Sequence, residues 1–265
     1  MILIIDGGTT NLRVTLLSDE RKPLDSIARD GGVRHTAVDG NNSYLKTTLA
    51  ECIAQLLGRN GLEAGDVRRC IAYGMITSDM GLLEIPHVSA PASAQDLKNA
   101  MREQVFPEIA PFPITFIPGV RNFAAPVDLE NFGMMDMMRG EETEAIGLYD
   151  LLGLKEKAML VLPGSHNKFV AMSEEGKILG CMTSISGELL DAMTHHTILA
   201  DAVGSAFVTP EDYVSEMAME GAGACGILRT DSADAGQAKQ GGDSELPARR
   251  GTGTGRAGDG AIPSR

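Results

Sequence analysis

Residues 1–13 read MILIIDGGTTNLR, an apolar run that ends in an acid, two glycines and a pair of threonines. Met1–Ile5 is too short to span a membrane or to form a signal-peptide core, so it reads as a strand buried on both faces, with Asp6 at its C-terminal end. Gly7 and Gly8 permit a tight turn and close approach to the backbone, and Thr9, Thr10 and Asn11 add hydroxyl and amide donors beside exposed N–H groups. Such a turn can hold phosphate. The chain resumes as LRVTLLSD, in which Leu12, Val14 and Leu16 alternate with Arg13 and Thr15, placing the donors in a hairpin turn and not at a helix start. That order excludes the dinucleotide fingerprint and the P-loop, both of which run strand, glycine loop, helix. Taken alone, the stretch also fits an ordinary glycine-containing hairpin with a solvated tip.

A second stretch repeats the logic. In LVLPGSHNKFV a buried strand ends in Pro163-Gly164, followed by Ser165, His166, Asn167 and Lys168 and then another strand. Gly164 permits backbone approach, Ser165 and Asn167 offer neutral donors, and Lys168 offers a point charge of the kind that binds phosphate. Two strand-turn-strand phosphate clamps facing each other across a cleft are the arrangement of the actin, hexokinase and sugar-kinase superfamily. Between them, MMRGEETEAIG crowds Glu141, Glu142 and Glu144 into the first turn of an expected helix, where acids also favour the helix dipole. A carboxylate there could orient an attacking hydroxyl and accept its proton, and neighbouring acids could hold Mg²⁺ through water. Arg139 could neutralise an anionic substrate or the transferring phosphoryl group.

Composition narrows the partners. With 265 residues the chain can bury a substantial core, and its net charge of -13 without a basic stripe argues against nucleic acid. Cys52, Cys70, Cys181 and Cys225 show no metal-ligand or redox spacing, and no targeting segment is expected before the first strand. The expectation is a reduced, cytoplasmic protein without a membrane partner, acting on small molecules and open to homodimer formation.

Elsewhere, Ser43–Gly61 reads as an amphipathic helix closed by Asn60-Gly61, and Arg69–Ile76 as a buried strand. Ser93 is expected to cap a helix running to about Phe106, where Pro107, Pro111 and Pro113 intervene and suggest a domain boundary. ITFIP then reads as a strand, GEETEAIGLYDLLG as a helix ending at Gly153, AMLVLPG, KFVAM and KILGCM as three strands, and Ser186 to about Ala202 as a helix. From Asp231 to Arg265 only Leu246 and Ile262 are apolar and larger than alanine. That segment cannot build a core and is expected to be a disordered, low-complexity tail.

DGGTTNLR, GMITSDMG with EIPHVSAPAS, IPGVRN, MRGEETEAIG, LPGSHNK and SISGELLDAMTHHTIL stand in the order and rough spacing found in the bacterial 2-dehydro-3-deoxygalactonokinases. Over about residues 1–200 the chain resembles that family. The resemblance implies an α/β, ribonuclease-H-like (actin/hexokinase-type) two-domain fold with mixed sheets. It also implies ATP-dependent phosphorylation of 2-dehydro-3-deoxy-D-galactonate to its 6-phosphate in galactonate catabolism, with ATP and Mg²⁺. Asp6 matches the metal-associated acid of the first phosphate motif, with Gly7, Gly8, Thr9, Thr10 and Asn11 near the transferred phosphate. Gly164, Ser165, His166 and Lys168 match the second. GEETEAIG is similar to the GDQQAA...G stretch of the FGGY sugar kinases, whose acid is the catalytic base, which points to Glu141 and leaves Glu142 as alternative base and expected metal carboxylate. His195 and His196 fall in the GEL...HHTIL match, where a structural role competes with a functional one.

The expected organisation is residues 1–112 as an N-terminal ribonuclease-H-like domain, 113–230 as a second one, and 231–265 as the tail. Members of the family continue after HHTIL with elements that complete the second domain, so that domain and its purine pocket are expected to be incomplete. Besides the sugar-acid kinase, an actin-like nucleotide-driven assembly or regulatory protein and an inactive kinase remnant stay open. MRGEET favours the kinase.

Overall fold

The computed structural model describes residues 1–123 and 126–224. The expected tail, residues 231–265, lies outside them. Met1–Phe207 form one compact unit, in chain order β1 (Ile2–Gly7), β2 (Asn11–Leu17), β3 (Pro23–Asp30), α1 (Arg34–Asp39), α2 (Ser43–Arg59), β4 (Arg69–Gly74), β5 (Val88–Ser89), α3 (Ala94–Ala100), β6 (Arg102–Gln104), β7 (Ile114–Phe116), β8 (Val120–Arg121), β9 (Met137–Met138), α4 (Glu141–Leu151), β10 (Ala158–Leu162), β11 (Asn167–Met172), β12 (Ile178–Ser184) and α5 (Ser186–His196). The remaining unit begins at Val208 and contributes one described helix, α6 (Ser215–Ala224). No described helix is long and apolar enough to cross a membrane.

The architecture is mixed α/β. The largest sheet has the order β3-β2-β1-β4-β7-β6: an antiparallel meander of three strands, then β4 parallel to β1 and β7 parallel to β4, with β6 antiparallel at the edge. This is the ribonuclease-H-like succession. Leu3, Ile5, Val14 and Leu16 are buried at alternating positions, as strand period requires, and α2 lays Leu45, Leu49, Cys52, Ile53 and Leu56 into the same core. Gly61, at φ 64, takes the left-handed turn just beyond α2 that its Asn-Gly ending foretold.

A second core gathers around the antiparallel sheet β10-β11-β12. Val170, Met172, Ile178 and Cys181 meet Ala145 and Tyr149 of α4, and Val120 and Met138 of the small sheet β5-β8-β9.

Three sequence expectations change. The helix capped by Ser93, whose capping box with Asp96 is present, stops at Ala100: Met101 turns extended at ψ 150, and Arg102–Gln104 pairs with β7 instead. The ITFIP strand, expected beyond the boundary at 112/113, pairs through Ile114–Phe116 within the first sheet and buries both of those side chains in the first core. The helix from Ser186 ends at His196, where Thr197 is extended.

Candidate active site

Three backbones meet at the C-terminal edge of β1. Gly74, at φ 87, is so close to β1 that a Cβ would stand 2.8 Å from the Gly7 carbonyl oxygen, and a Cβ on Gly140, at φ 122, would stand 3.3 Å from the Gly74 Cα. The end of β1, the end of β4 and the start of α4 therefore touch main chain to main chain. This seam brings Asp6, Glu141 and Glu144 to the wall of one cleft of about 780 Å³.

Two of these acids are raised above their usual values. Burial raises the Asp6 carboxyl above its usual value, with Arg13 pulling the other way. Glu144 is raised by burial, then by Asp6 and Glu141. The Tyr73 hydroxyl, at the end of β4, is pushed up to about 12 by burial and then by Asp6 and Glu144. Carboxylates raised by burial, and at Glu144 also by like charge, suit a cation. Among the described residues no three His, Cys, Asp or Glu side chains form a direct ligand set. Asp6 and Glu144 are carboxylates on this wall that could hold a hydrated divalent cation.

Glu142, expected at the metal, is not on the cleft wall. Its side chain is fully buried and accepts the Gly140 N–H on both oxygens, at 3.0 and 2.8 Å, and the Thr143 hydroxyl at 3.3 Å. Burial, and after it the neighbouring Glu141, pushes its pKa up to about 8, against the main-chain N–H bonds that pull it down.

The first turn lines the cleft through Gly8 and Thr9. Gly7 is sealed behind them, where a Cβ would stand 2.5 Å from that of Ile76. The Thr10 carbonyl accepts from Gly31 and Gly32 at 3.2 and 2.8 Å, and Asn11 begins β2; neither side chain lines the cleft. The second turn lines it through Gly164, Ser165 and His166. It is seated on the start of α5: Glu188 N–H donates to the Ser165 carbonyl at 2.9 Å, Asn167 Nδ2 to Ser186 Oγ at 2.6 Å, and His166 meets Glu188 at 3.2 Å.

Lys168 also reaches the cleft wall, but its ammonium is committed. Nζ donates to the Met137 carbonyl and to Thr183 Oγ1, both at 2.5 Å, and lies 3.4 Å from Asp136 Oδ1. The Arg139 guanidinium is committed likewise, to Thr77, Ile85 and His87, while its main-chain N–H donates to Glu141 Oε2 at 3.0 Å. His195 bonds Asp191 on its own helix at 2.9 Å. Neither His195 nor His196 lines the cleft.

The structure adds Tyr73, Ser78, Asp79, Glu84, His87 and Thr183 to the wall. Most of these lie in GMITSDMG and EIPH, stretches matched in sequence without assigned roles. Their signal was position: they follow the C-terminal end of a parallel strand, where α/β sheets place ligands.

A family model described as 2-keto-3-deoxy-galactonokinase matches residues 6–228. A probable 2-dehydro-3-deoxygalactonokinase of Rhizobium meliloti (strain 1021) is 27% identical over 204 residues, covering 76% of this chain and 59% of that relative. The chain thus spans 59% of the length of the curated relative it matches. A crystal structure from Sinorhizobium meliloti, provisionally named 2-dehydro-3-deoxygalactonokinase, superposes with a TM-score of 0.65 at 22% identity, over 86% of this chain and 69% of that one. At that identity the likeness bears on the fold alone.

Proposed function

The chain belongs to the 2-keto-3-deoxy-galactonokinase family, and from that premise we propose that it transfers the γ-phosphoryl group of ATP to the terminal hydroxyl of 2-dehydro-3-deoxy-D-galactonate, giving the 6-phosphate. One observation carries the reading: two glycine turns of phosphate-binding type and the acid-rich start of α4 wall the same cleft.

In this mechanism Glu141 takes the proton of the acceptor hydroxyl as its oxygen forms the new bond to phosphorus and the bond to the ADP oxygen breaks. The N–H of Arg139, on Glu141 Oε2, aims the carboxylate. Gly8 N–H is spent on the Asn11 carbonyl and Gly164 N–H on Asn167 Oδ1. The phosphates are therefore held by the main chain and hydroxyls of Thr9 and Ser165, with His166 beside them. Asp6 and Glu144 would hold Mg²⁺ through water, and the ion would supply neutralising charge to the phosphates. Glu142, sealed from the cleft, anchors the Gly140 turn by accepting its N–H. Lys168 is a wall group whose charge Asp136 balances. The two-lobe division is proposed with its boundary past Ile117, because Ile114, Phe116 and Ile117 are buried with the first sheet or at its edge.

The test is a coupled ADP assay on the purified chain with several 2-keto-3-deoxy sugar acids differing at single hydroxyls. ADP should appear only when an acceptor is present. ADP from nucleotide alone together with polymer would replace the kinase by an assembly protein, and no turnover with any acceptor would replace it by an inactive remnant.

A further inference from the structure

Arg139 carries a positive charge on the cleft wall, yet its donors point elsewhere. Nη1 donates to the Thr77 carbonyl at 2.6 Å and to Thr77 Oγ1 at 2.7 Å; Nη2 donates to the Ile85 carbonyl and to His87 Nδ1, both at 3.2 Å. All four Nη hydrogens are thereby used. Only the Nε–H is left, too little for the two-pronged grip by which arginine usually holds a phosphate or carboxylate. Because arginine can only donate, His87 Nδ1 must accept, and the ring proton sits on Nε2. Burial, then Arg139 and Arg121, hold the His87 pKa down at about 4, consistent with that neutral ring.

The four acceptors bracket one segment. Thr77 is fully buried at its start, Ile85 and His87 stand at its end, and Ser78, Asp79 and Glu84 lie between them on the cleft wall. The same residue's main-chain N–H holds Glu141 Oε2 at 3.0 Å. Side chain and backbone of Arg139 thus join the wall Thr77–His87 to the acid at the head of α4.

We propose that Arg139 is a positioning residue: it fixes the Thr77–His87 wall, the acceptor's side of the cleft, in register with Glu141, so that hydroxyl and base are aligned together. The proposal rests on the kinase reading for the word acceptor, but the mechanical link stands apart from it. A lysine, with one ammonium, cannot span the four acceptors.

The experiment compares wild type with Arg139→Gln, Arg139→Lys and Thr77→Val by amide hydrogen exchange without ligands and by steady-state kinetics. Exchange over Thr77–His87 should quicken about tenfold or more in Arg139→Gln and less in Thr77→Val, with the strands β10 and β11 unchanged. In kinetics, Arg139→Gln should lower kcat about a hundredfold, the scale of a misplaced reacting group. It should also raise KM for the acceptor while leaving KM for ATP within about twofold, and Arg139→Lys should not rescue it. Thr77→Val should move both parameters in the same directions by less, which keeps the test open if Arg139→Gln folds poorly. Unchanged exchange at Thr77–His87 in both Arg139→Gln and Thr77→Val would overturn the proposal. So would a defect confined to KM for ATP, which would make Arg139 a phosphate ligand. If wild type itself transfers no phosphoryl group, the kinase reading fails, and the exchange comparison alone still decides the link.

Discussion

Glu141 and Glu144 face the cleft while Glu142, between them, is fully buried with Ala145 and Tyr149. Replacing Glu141 by Gln should leave nucleotide binding nearly intact and lower turnover by about two to four orders of magnitude, the range of a positioned general base. Near-normal turnover in that variant, with loss in Glu144→Gln, would move the base one turn along the helix. Glu142 makes a different prediction. Its folded pKa of about 8 lies above the ordinary value of 4.5, so its stabilising protonated state is complete below about 4.5 and is lost as pH rises through about 8. Thermal unfolding of wild type should therefore show stability falling across that window, and Glu142→Gln should flatten the slope; parallel profiles would refute the assignment. The acids of GEETEAIG were legible as a chemical cluster, and helix period could have sorted them. Glu142, Ala145 and Tyr149 share an i, i+3, i+7 stripe, the mark of a buried face. The partners of Lys168 and Arg139 were not legible, because Asp136 lies 32 residues from Lys168 and Thr77 lies 62 from Arg139.

The seam of Gly7, Gly74 and Gly140 is what lets β1, β4 and α4 present their polar ends to one cleft. Gly74→Ala or Gly140→Ala would force a side chain into positive φ against neighbouring main chain, and each should cost roughly 1–3 kcal/mol in denaturant unfolding. Either substitution should also reduce turnover, since the head of α4 would shift; full activity with unchanged stability would show that the contact is slack. The hairpin β1-β2, the helices α2 and α4 and the three strands β10 to β12 were readable because local period and turn residues agree there with the tertiary environment. The end of α3 was not: a polar stretch, Arg102–Gln104, becomes an edge strand only because β7 offers it a partner from beyond the prolines. One face of the β10-β11-β12 sheet leaves Met159, Val161 and Met182 exposed, although the opposite face is packed. Replacing Met159 and Met182 together by Thr should reduce binding of a hydrophobic dye without lowering the melting temperature; a large fall in that temperature would show that this face is packed.

At the scale of the molecule, the ribonuclease-H-like succession of strands and two glycine turns converge on one acid-lined cleft, in a chain that spans 59% of the length of its curated relative. Two stretches more than 150 residues apart in sequence, DGGTTN and PGSHNK, signalled that convergence before any contact was known, because each joins two strands through a glycine turn with neutral donors. What sequence could not convey was how the cleft's cations are spent, since that depends on carbonyls and hydroxyls brought in by the fold. The most direct measurement follows the phosphorus itself: incubate the purified chain with ATP, Mg²⁺ and 2-dehydro-3-deoxy-D-galactonate and identify the products by phosphorus NMR and mass spectrometry. The account predicts one phosphate ester on the terminal hydroxyl for each ADP formed, abolished in Glu141→Gln. Inorganic phosphate as the product, at a rate indifferent to the sugar acid and to Glu141, would contradict it.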